Sequence, residues 1–177
     1  MPEKNGDPGQ SLAELSLSLD GVEQTARLGR GLGELCRPGD VLLLEGDLGA
    51  GKTTLAGAIA RGLGVAGEYH VTSPSFALLH EYPGRLSFYH MDCYRLTGEG
   101  DIEAAGLAEY LEGRGVCVVE WPDRLGSLRP EESLEVRLEH AGREQRRATL
   151  QAHGASWRQR LGQLAAELAG GGGEGGC

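Results

Sequence analysis

Residues 46–53 read Gly46-Asp47-Leu48-Gly49-Ala50-Gly51-Lys52-Thr53. This stretch fills every fixed position of the pattern G-x-x-x-x-G-K-[ST]. It follows an unbroken apolar run at 41–44, typical of a strand covered on both faces, and it leads into a helical pattern at 52–63. A glycine loop in that position aims backbone N–H groups and the positive end of the helix at one anion. The segment therefore predicts a phosphate-binding loop for a nucleotide.

Two side chains of this loop have separate expected roles. Lys52 would meet the outer phosphates as a point charge, and it is one of only two lysines in the chain, the other being Lys4. Thr53 would offer its hydroxyl oxygen to Mg²⁺, a hard ion that binds through few protein oxygens together with phosphates. The sequence therefore predicts a nucleoside triphosphate and Mg²⁺ as cofactors.

Two carboxylates follow other predicted strands. Asp92 follows the strand predicted at 86–91, and Glu120 follows a second buried apolar run at 116–119. Ligands of α/β sheets lie at the carboxyl ends of the strands, so either side chain could bind the water shell of a metal or orient an attacking water. Spacing alone leaves the division of work between them open.

The remaining patterns predict an α/β fold. Strands are predicted at 15–19 and within two hairpins, 76–82 with 86–91 and 134–138 with 148–150; helices are predicted at 22–35, where Asp20 and Glu23 suggest a capping box, near 107–111, and at 157–168. The order β-α-β-α-β-β-α-β-β-β-α predicts three layers around a mixed sheet with a parallel centre and antiparallel hairpins. We expect one domain at 11–169, a flexible leader at 1–10 and a Gly-rich flexible tail at 170–177.

Composition narrows the class of protein further. The chain has 26 acidic and 17 basic residues and a net charge of -9, which disfavours binding of DNA or an anionic membrane through the overall field. It has no long apolar run and no secretory signal pattern, which predicts a soluble, cytoplasmic protein without a membrane partner. The cysteines Cys36, Cys93, Cys117 and Cys177 form no C-x-x-C pair and are expected to be free thiols.

Other polar residues have ordinary interpretations. His80 and His90 lie at alternating strand positions, which is more typical of partly buried or surface histidines than of ligands. Arg143, Arg146 and Arg147 flank the turn of the second hairpin. Such a cluster is typical of a solvated turn, and a contact with tRNA or a protein is the alternative.

Three classes of nucleotide protein can be compared. A GTPase reads guanine through an N-K-x-D element, and no lysine follows Lys52. A small-molecule P-loop kinase is the stronger rival, although such kinases usually begin with the P-loop strand and here about 40 residues precede it. A nucleotide-gated binding module is the third possibility.

Five segments, in this order, carry a more specific resemblance: LEGDLGAGKTTLAGAIARGLG, VTSPSFALLHEY, YHMDCYRL, GLAEYL and VCVVEWPDRL. Over about residues 15–150 the chain resembles the TsaE (YjeE) family, the bacterial P-loop ATPases of tRNA threonylcarbamoyladenosine biosynthesis. The resemblance implies a P-loop NTPase fold and an ATPase that works with two partners, TsaD and TsaB. Those partners transfer a threonylcarbamoyl group to the adenosine beside the anticodon of tRNAs reading codons that begin with A. ATP binding or hydrolysis would reset the complex, and contact with tRNA would be indirect.

The resemblance also implies roles for individual residues. Thr53 would hold Mg²⁺ with Asp92 or Glu120, and Glu120 would orient or activate the water; Lys52, Asp92 and Glu120 form the implied catalytic set. The implied phosphate loop consists of Gly46, Asp47, Leu48, Gly49, Ala50, Gly51, Lys52, Thr53 and Thr54. Thr72, Ser73 and Ser75 would form a switch-like segment near the γ-phosphate, Ser75 standing where the family commonly has Thr. Trp121 and Arg95 would line the pocket or face a partner.

Overall fold

Strands and helices alternate along residues 11–170, the part of the chain that this computed structural model describes. The strands are β1 Glu14–Leu19, β2 Val41–Glu45, β3 Leu79–Tyr82, β4 Phe88–Asp92, β5 Val116–Glu120, β6 Ser133–His140 and β7 Arg146–His153. The helices are α1 Val22–Leu35, α2 Lys52–Gly62, α3 Glu99–Ala104, α4 Ala108–Leu111 and α5 Ala155–Gly170, with a 3₁₀ helix at Pro122–Leu128.

All seven strands form one mixed sheet in the order β1-β7-β6-β2-β5-β4-β3. Strands β6, β2, β5 and β4 are parallel, whereas β3 and the pair β1 and β7 extend the two edges in antiparallel fashion. Parallel strands end at the same edge of a sheet, so β2, β4 and β5 carry their last residues to one place. Asp92 is the register partner of Glu120, and Glu120 is also paired with Leu44.

Two apolar cores lie on opposite faces of the sheet. Leu42 and Leu44 of β2 pack with α1, α2 and α5, whereas Val41 and Leu43 pack with the side of α3, α4 and the 3₁₀ helix. Successive side chains of a strand point to opposite faces, which explains why the run at 41–44 is apolar throughout. The predicted three layers, with a parallel centre and antiparallel edges, are confirmed.

Close contact between α1 and α2 fixes the helix that follows the phosphate loop. A Cβ atom on Gly33 would lie 2.2 Å from the Ile59 carbonyl oxygen, and one on Gly62 would lie 2.2 Å from the Arg30 carbonyl oxygen. No side chain fits at either position, so the two backbones meet directly. This contact holds α2 firmly behind the loop.

Several local expectations require correction. The strand expected at 76–82 begins only at Leu79, because Phe76 and its neighbours form a turn. Helix α3, Glu99–Ala104, precedes the helix predicted near 107–111 and was not itself predicted. The capping box is wrong: Gly21 is the N-cap of α1, and the backbone N–H of Asp20 donates to the side chain of Gln24 instead. Residues 1–10, and the tail apart from Gly170, lie outside the described residues, so the domain limits stay predictions.

Candidate nucleotide phosphate site

The loop between β2 and α2 has the backbone that its glycines predict. Gly51 has φ 106° and caps the N-terminus of α2, and Gly46 has φ 147°. A side chain at Gly46 would also meet the Leu138 carbonyl oxygen of β6 at 2.5 Å. Side chains are disfavoured at such φ values, so the loop depends on glycine at these positions.

Lys52 reaches back over this loop. Its Nζ donates hydrogen bonds to the carbonyl oxygens of Gly46 at 2.6 Å and Asp47 at 2.9 Å. The side chain is only 4% exposed, and burial lowers the pKa of Lys52, an effect that the nearby Glu120 and Asp92 carboxylates oppose. Two neutral carbonyl oxygens of the loop therefore hold the ammonium group beside the loop.

Glu120, the last residue of β5, has two hydrogen-bond partners on one oxygen. Its Oε1 accepts from the Thr53 hydroxyl at 2.9 Å, and it lies 2.8 Å from Nε2 of His90. Glu120 is 3% exposed and His90 is fully buried. The first residues of α2 and the ends of β4 and β5 thus meet at one carboxylate.

Asp92, the last residue of β4, fastens the predicted switch-like segment. Its Oδ2 accepts hydrogen bonds from the hydroxyl of Ser73 and, at 3.1 Å, from that of Ser75. Its Oδ1 accepts from the backbone N–H of Tyr94 at 2.9 Å. The hydroxyl group of Ser75 is therefore one of the groups that hold this segment to Asp92.

Most of the predicted site residues meet in one cavity of about 340 Å³. Its lining consists of Leu48, Gly49, Gly51, Lys52, Thr53, Thr54, Ser73, Ser75, Asp92, Tyr94, Glu120 and Trp121. Thr72 is exposed and does not line it. Arg95 also lies outside it, with its guanidinium 4.1 Å from the centre of the Phe76 ring.

A second cavity of about 350 Å³ lies on the other side of the loop. It is lined by Gly49, Gly51 and Thr54, by Gly21, Val22 and Thr25, and by Arg143, Glu144 and Arg146 with Ala50. Arg146 donates from Nε to the Ala50 carbonyl oxygen at 3.1 Å. Two members of the basic cluster interpreted as a solvated turn, Arg143 and Arg146, thus lie at the phosphate loop. The sequence did not predict this contact, because it depends on the order of the strands, in which β6 alone separates β7 from β2.

The oxygen atoms at this site suit a small hard cation. The Thr53 hydroxyl group donates a hydrogen bond to Glu120, so the lone pairs of the Thr53 oxygen stay free for another partner. No group of three or more His, Cys, Asp or Glu side chains between residues 11 and 170 could by itself hold a metal ion. A cation here would depend on few protein oxygens and on phosphate, which is how Mg²⁺ binds with nucleotides.

The cysteines have no part in the site. Cys36, Cys93 and Cys117 are free and buried. Burial raises the pKa of all three thiols, that of Cys93 to about 12. Cys177 lies outside the described residues. The prediction of free thiols is confirmed for these three.

Comparison with known proteins decides the family. The sequence pattern described as "Threonylcarbamoyl adenosine biosynthesis protein TsaE" matches residues 19–148. The chain belongs to the TsaE family. A TsaE protein of Bacillus subtilis is 44% identical over 133 residues, which cover 75% of this chain and 82% of that protein. The TsaE protein of Treponema pallidum is 44% identical over 117 residues, covering 66% of this chain and 85% of its own.

A solved structure agrees with this TsaE assignment. The crystal structure of Bacillus subtilis YdiB superposes with a TM-score of 0.74 at 35% identity, covering 87% of this chain and 95% of that one. The resemblance and the P-loop fold inferred from the sequence are therefore confirmed. Family and fold together support nucleotide binding and a role in tRNA processing. Between residues 11 and 170, none of the helices combines the length and apolar character that a membrane span requires.

Proposed function

We propose that this TsaE protein is a Mg²⁺-dependent ATPase subunit, with residues 11–169 as its ATPase domain, that acts with TsaD and TsaB in threonylcarbamoylation of tRNA. The carrying observation is the convergence of Lys52, Thr53, Asp92 and Glu120 on one cavity beside a glycine loop. The glycine loop would bind phosphate, Lys52 would supply a positive charge, and Asp92 and Glu120 would supply carboxylates. Nucleoside triphosphate hydrolysis requires these groups at one point.

The two cavities suggest how ATP would lie. Gly49, Gly51 and Thr54 line both of them, so the phosphate chain would cross the loop there. The β- and γ-phosphates would face Lys52 in the first cavity. The nucleoside would extend into the second cavity, where Val22 and Thr25 begin α1 and Arg146 braces the loop.

Hydrolysis would then divide the work among a few side chains. Lys52 would leave the carbonyl oxygens of Gly46 and Asp47 for the phosphate oxygens, where its positive charge offsets the charge of the transition state. Thr53, with Asp92 or Glu120, would hold Mg²⁺, which neutralises phosphate charge when bound. Glu120 would orient the attacking water, since its carboxylate lines the cavity and is fixed by two hydrogen bonds.

The switch-like segment offers a route from nucleotide to partner. Ser73 and Ser75 bond to Asp92 inside the cavity, and Phe76, the next residue, is 85% exposed. A change at the γ-phosphate that altered the Asp92 contacts would therefore move an exposed aromatic ring. ATP binding or hydrolysis would reset the partners in this way, without this protein carrying out the transfer.

The mouth of the cavity supports a protein partner. The cavity lining includes Leu48, which is 76% exposed, and Tyr94, which is 49% exposed, and Phe76, 85% exposed, follows the lining residue Ser75 directly in the chain. Exposed apolar side chains grouped at one place mark interaction sites. With a net charge of -9, contact with tRNA would be made through TsaD and TsaB, in the cytoplasm where tRNA is modified.

The test is multi-turnover tRNA modification in a mixture of TsaD, TsaB, threonylcarbamoyl-adenylate, tRNA and Mg²⁺-ATP. We expect turnover beyond the first cycle with the wild-type protein and none with Lys52→Ala, because that variant lacks the charge facing the phosphates. Arg158→Ala removes one charge from an exposed position of α5 and serves as the matched control. If the protein hydrolyses ATP yet leaves tRNA modification unchanged, the tRNA role is wrong, and phosphate transfer to a metabolite becomes the next assay.

A further inference from the structure

His90 is a fully buried polar side chain beside the proposed site. It lies on β4 two residues before Asp92, on the same face of the strand, so both side chains turn toward α2. Its ring stacks at a tilt against Phe88, with centroids 6.2 Å apart. The imidazole therefore has apolar packing on one side and the end of β5 on the other.

One hydrogen bond connects this ring to the site. Nε2 lies 2.8 Å from Oε1 of Glu120, while Nδ1 is buried and has no hydrogen-bond partner among residues 11–170. A proton on Nδ1 would be buried without an acceptor and would leave two lone pairs facing each other across 2.8 Å. The proton consequently belongs on Nε2, which donates to the carboxylate.

The second oxygen of Glu120 is left in a different state. Oε1 accepts from both His90 and Thr53, whereas Oε2 accepts no hydrogen bond within residues 11–170 and is not among the buried unpartnered atoms there, so solvent reaches it. Glu120 has little freedom to rotate while two donors from different elements hold Oε1. Oε2 is thereby presented to the cavity.

We propose that His90 is a positioning residue, which fixes the Glu120 carboxylate through Nε2–H so that Oε2 faces the attacking water. This inference rests on the proposed ATPase function and deepens it. His90 touches neither nucleotide nor water, and it acts only through Glu120. Groups that orient a site carboxylate in this way typically change activity by about 10- to 100-fold when they are removed.

The experiment compares His90→Leu with His90→Gln, whose amide N–H can reach toward the position of Nε2. Single-turnover ATP hydrolysis should fall about 10- to 100-fold in His90→Leu and recover largely in His90→Gln, with the nucleotide Kd unchanged in both. His80→Leu is the matched control, because His80 is the register partner of His90 on β3 and its ring bonds to Tyr82 instead. A rate in His90→Leu equal to that of the wild type overturns the proposal, and so does an equal loss in Leu and Gln variants that both fold.

A second measurement is independent of ATP. The ¹⁵N chemical shifts of histidine in the wild-type protein should show His90 protonated on Nε2 and not on Nδ1, and Glu120→Gln should move the Nε2–H resonance. The opposite tautomer overturns the proposal even if His90→Leu fails to fold. If the wild-type protein binds ATP and His90→Leu is fully active, only the role of His90 falls; if the wild-type protein neither binds nor hydrolyses ATP, the proposed function falls and this inference with it.

Discussion

The ammonium nitrogen of Lys52 lies 4.4 Å from the centre of the Trp121 ring, directly beside the phosphate loop. Trp121 has φ 59°, in the left-handed region that large side chains rarely adopt, and this turn after β5 brings its indole to the cavity. The indole thus contacts the one charged group that nucleotide binding is expected to move.

Trp121 should report nucleotide binding by its fluorescence. Phosphate would draw Lys52 away from the indole, and the loss of a nearby cation changes the emission of the ring. The other tryptophan, Trp157, is buried beneath Arg160 in a separate part of the molecule. Titration with Mg²⁺-ATP should change the emission of the wild-type protein and of Trp157→Phe, but leave that of Trp121→Phe constant. A response that depends on Trp157 would contradict this arrangement.

In the protein without nucleotide, the charged Lys52 side chain should lower the free energy of unfolding. Because burial lowers the pKa of Lys52 in the folded state, the unfolded chain binds more protons between that lowered pKa and the ordinary value of about 10.4. The contribution of Lys52 to the free energy of unfolding therefore rises with pH between these two pKa values. Below the lowered pKa, the charged side chain destabilises the folded state by a constant amount. Lys52→Met should be at least as stable as the wild type at about pH 7 and should lose this rise, as urea unfolding at several pH values would measure. A Lys52→Met variant less stable at neutral pH would contradict the direction.

Phe76 should matter for partners and not for nucleotide. Phe76→Ser removes an 85% exposed ring that lies against the Arg95 guanidinium and does not line the cavity, so ATP affinity and stability should be unchanged. Partner-dependent tRNA modification at limiting protein should fall about tenfold, the result of losing roughly 1.4 kcal/mol of binding free energy. Tyr69→Ser, which changes another exposed aromatic ring away from the cavity, is the control. Equal behaviour of both variants would refute a docking role for Phe76.

Arg160 should be the ionic residue on which stability depends most. Its guanidinium is 3% exposed, donates to both carboxylate oxygens of Asp40 and to the Leu35 carbonyl oxygen, and stacks 3.8 Å from the centre of the Trp157 ring. Arg160→Met would leave the Asp40 carboxylate without its ionic partner, with only the backbone N–H of Arg37 still donating to it, and we expect the free energy of unfolding to fall by about 3 kcal/mol.

Arg137→Met provides the comparison for this buried pair. Arg137 bonds to Glu45 but its side chain is 55% exposed, and exposed ion pairs contribute less than about 1 kcal/mol. Urea unfolding of both variants at one pH measures the difference. Similar losses in the two would show that burial of the Arg160 pair is unimportant.

Short-range patterns in the sequence determined much of the fold and of the proposed site. The glycine spacing at 46–51 and the apolar runs at 41–44 and 116–119 specify a phosphate loop and buried strands, because each depends on residues close in sequence. Glu120 and Asp92 could be proposed from their places after strands, since parallel strands end at one edge. The segments around them also carry enough information to identify the TsaE family before any contact is known.

Only the tertiary structure decided which side chains meet at that edge. His90 bonds to Glu120 across 30 residues of sequence, Thr53 bonds to it across 67, and Arg146 reaches Ala50 across 96. These contacts depend on strand order and register, which bring distant residues together and leave no periodic trace in the sequence. The sequence places His90 two residues before Asp92, on the same face of one strand. Its hydrogen bond to Glu120 could not be predicted, because it requires β4 and β5 to be neighbours in the sheet.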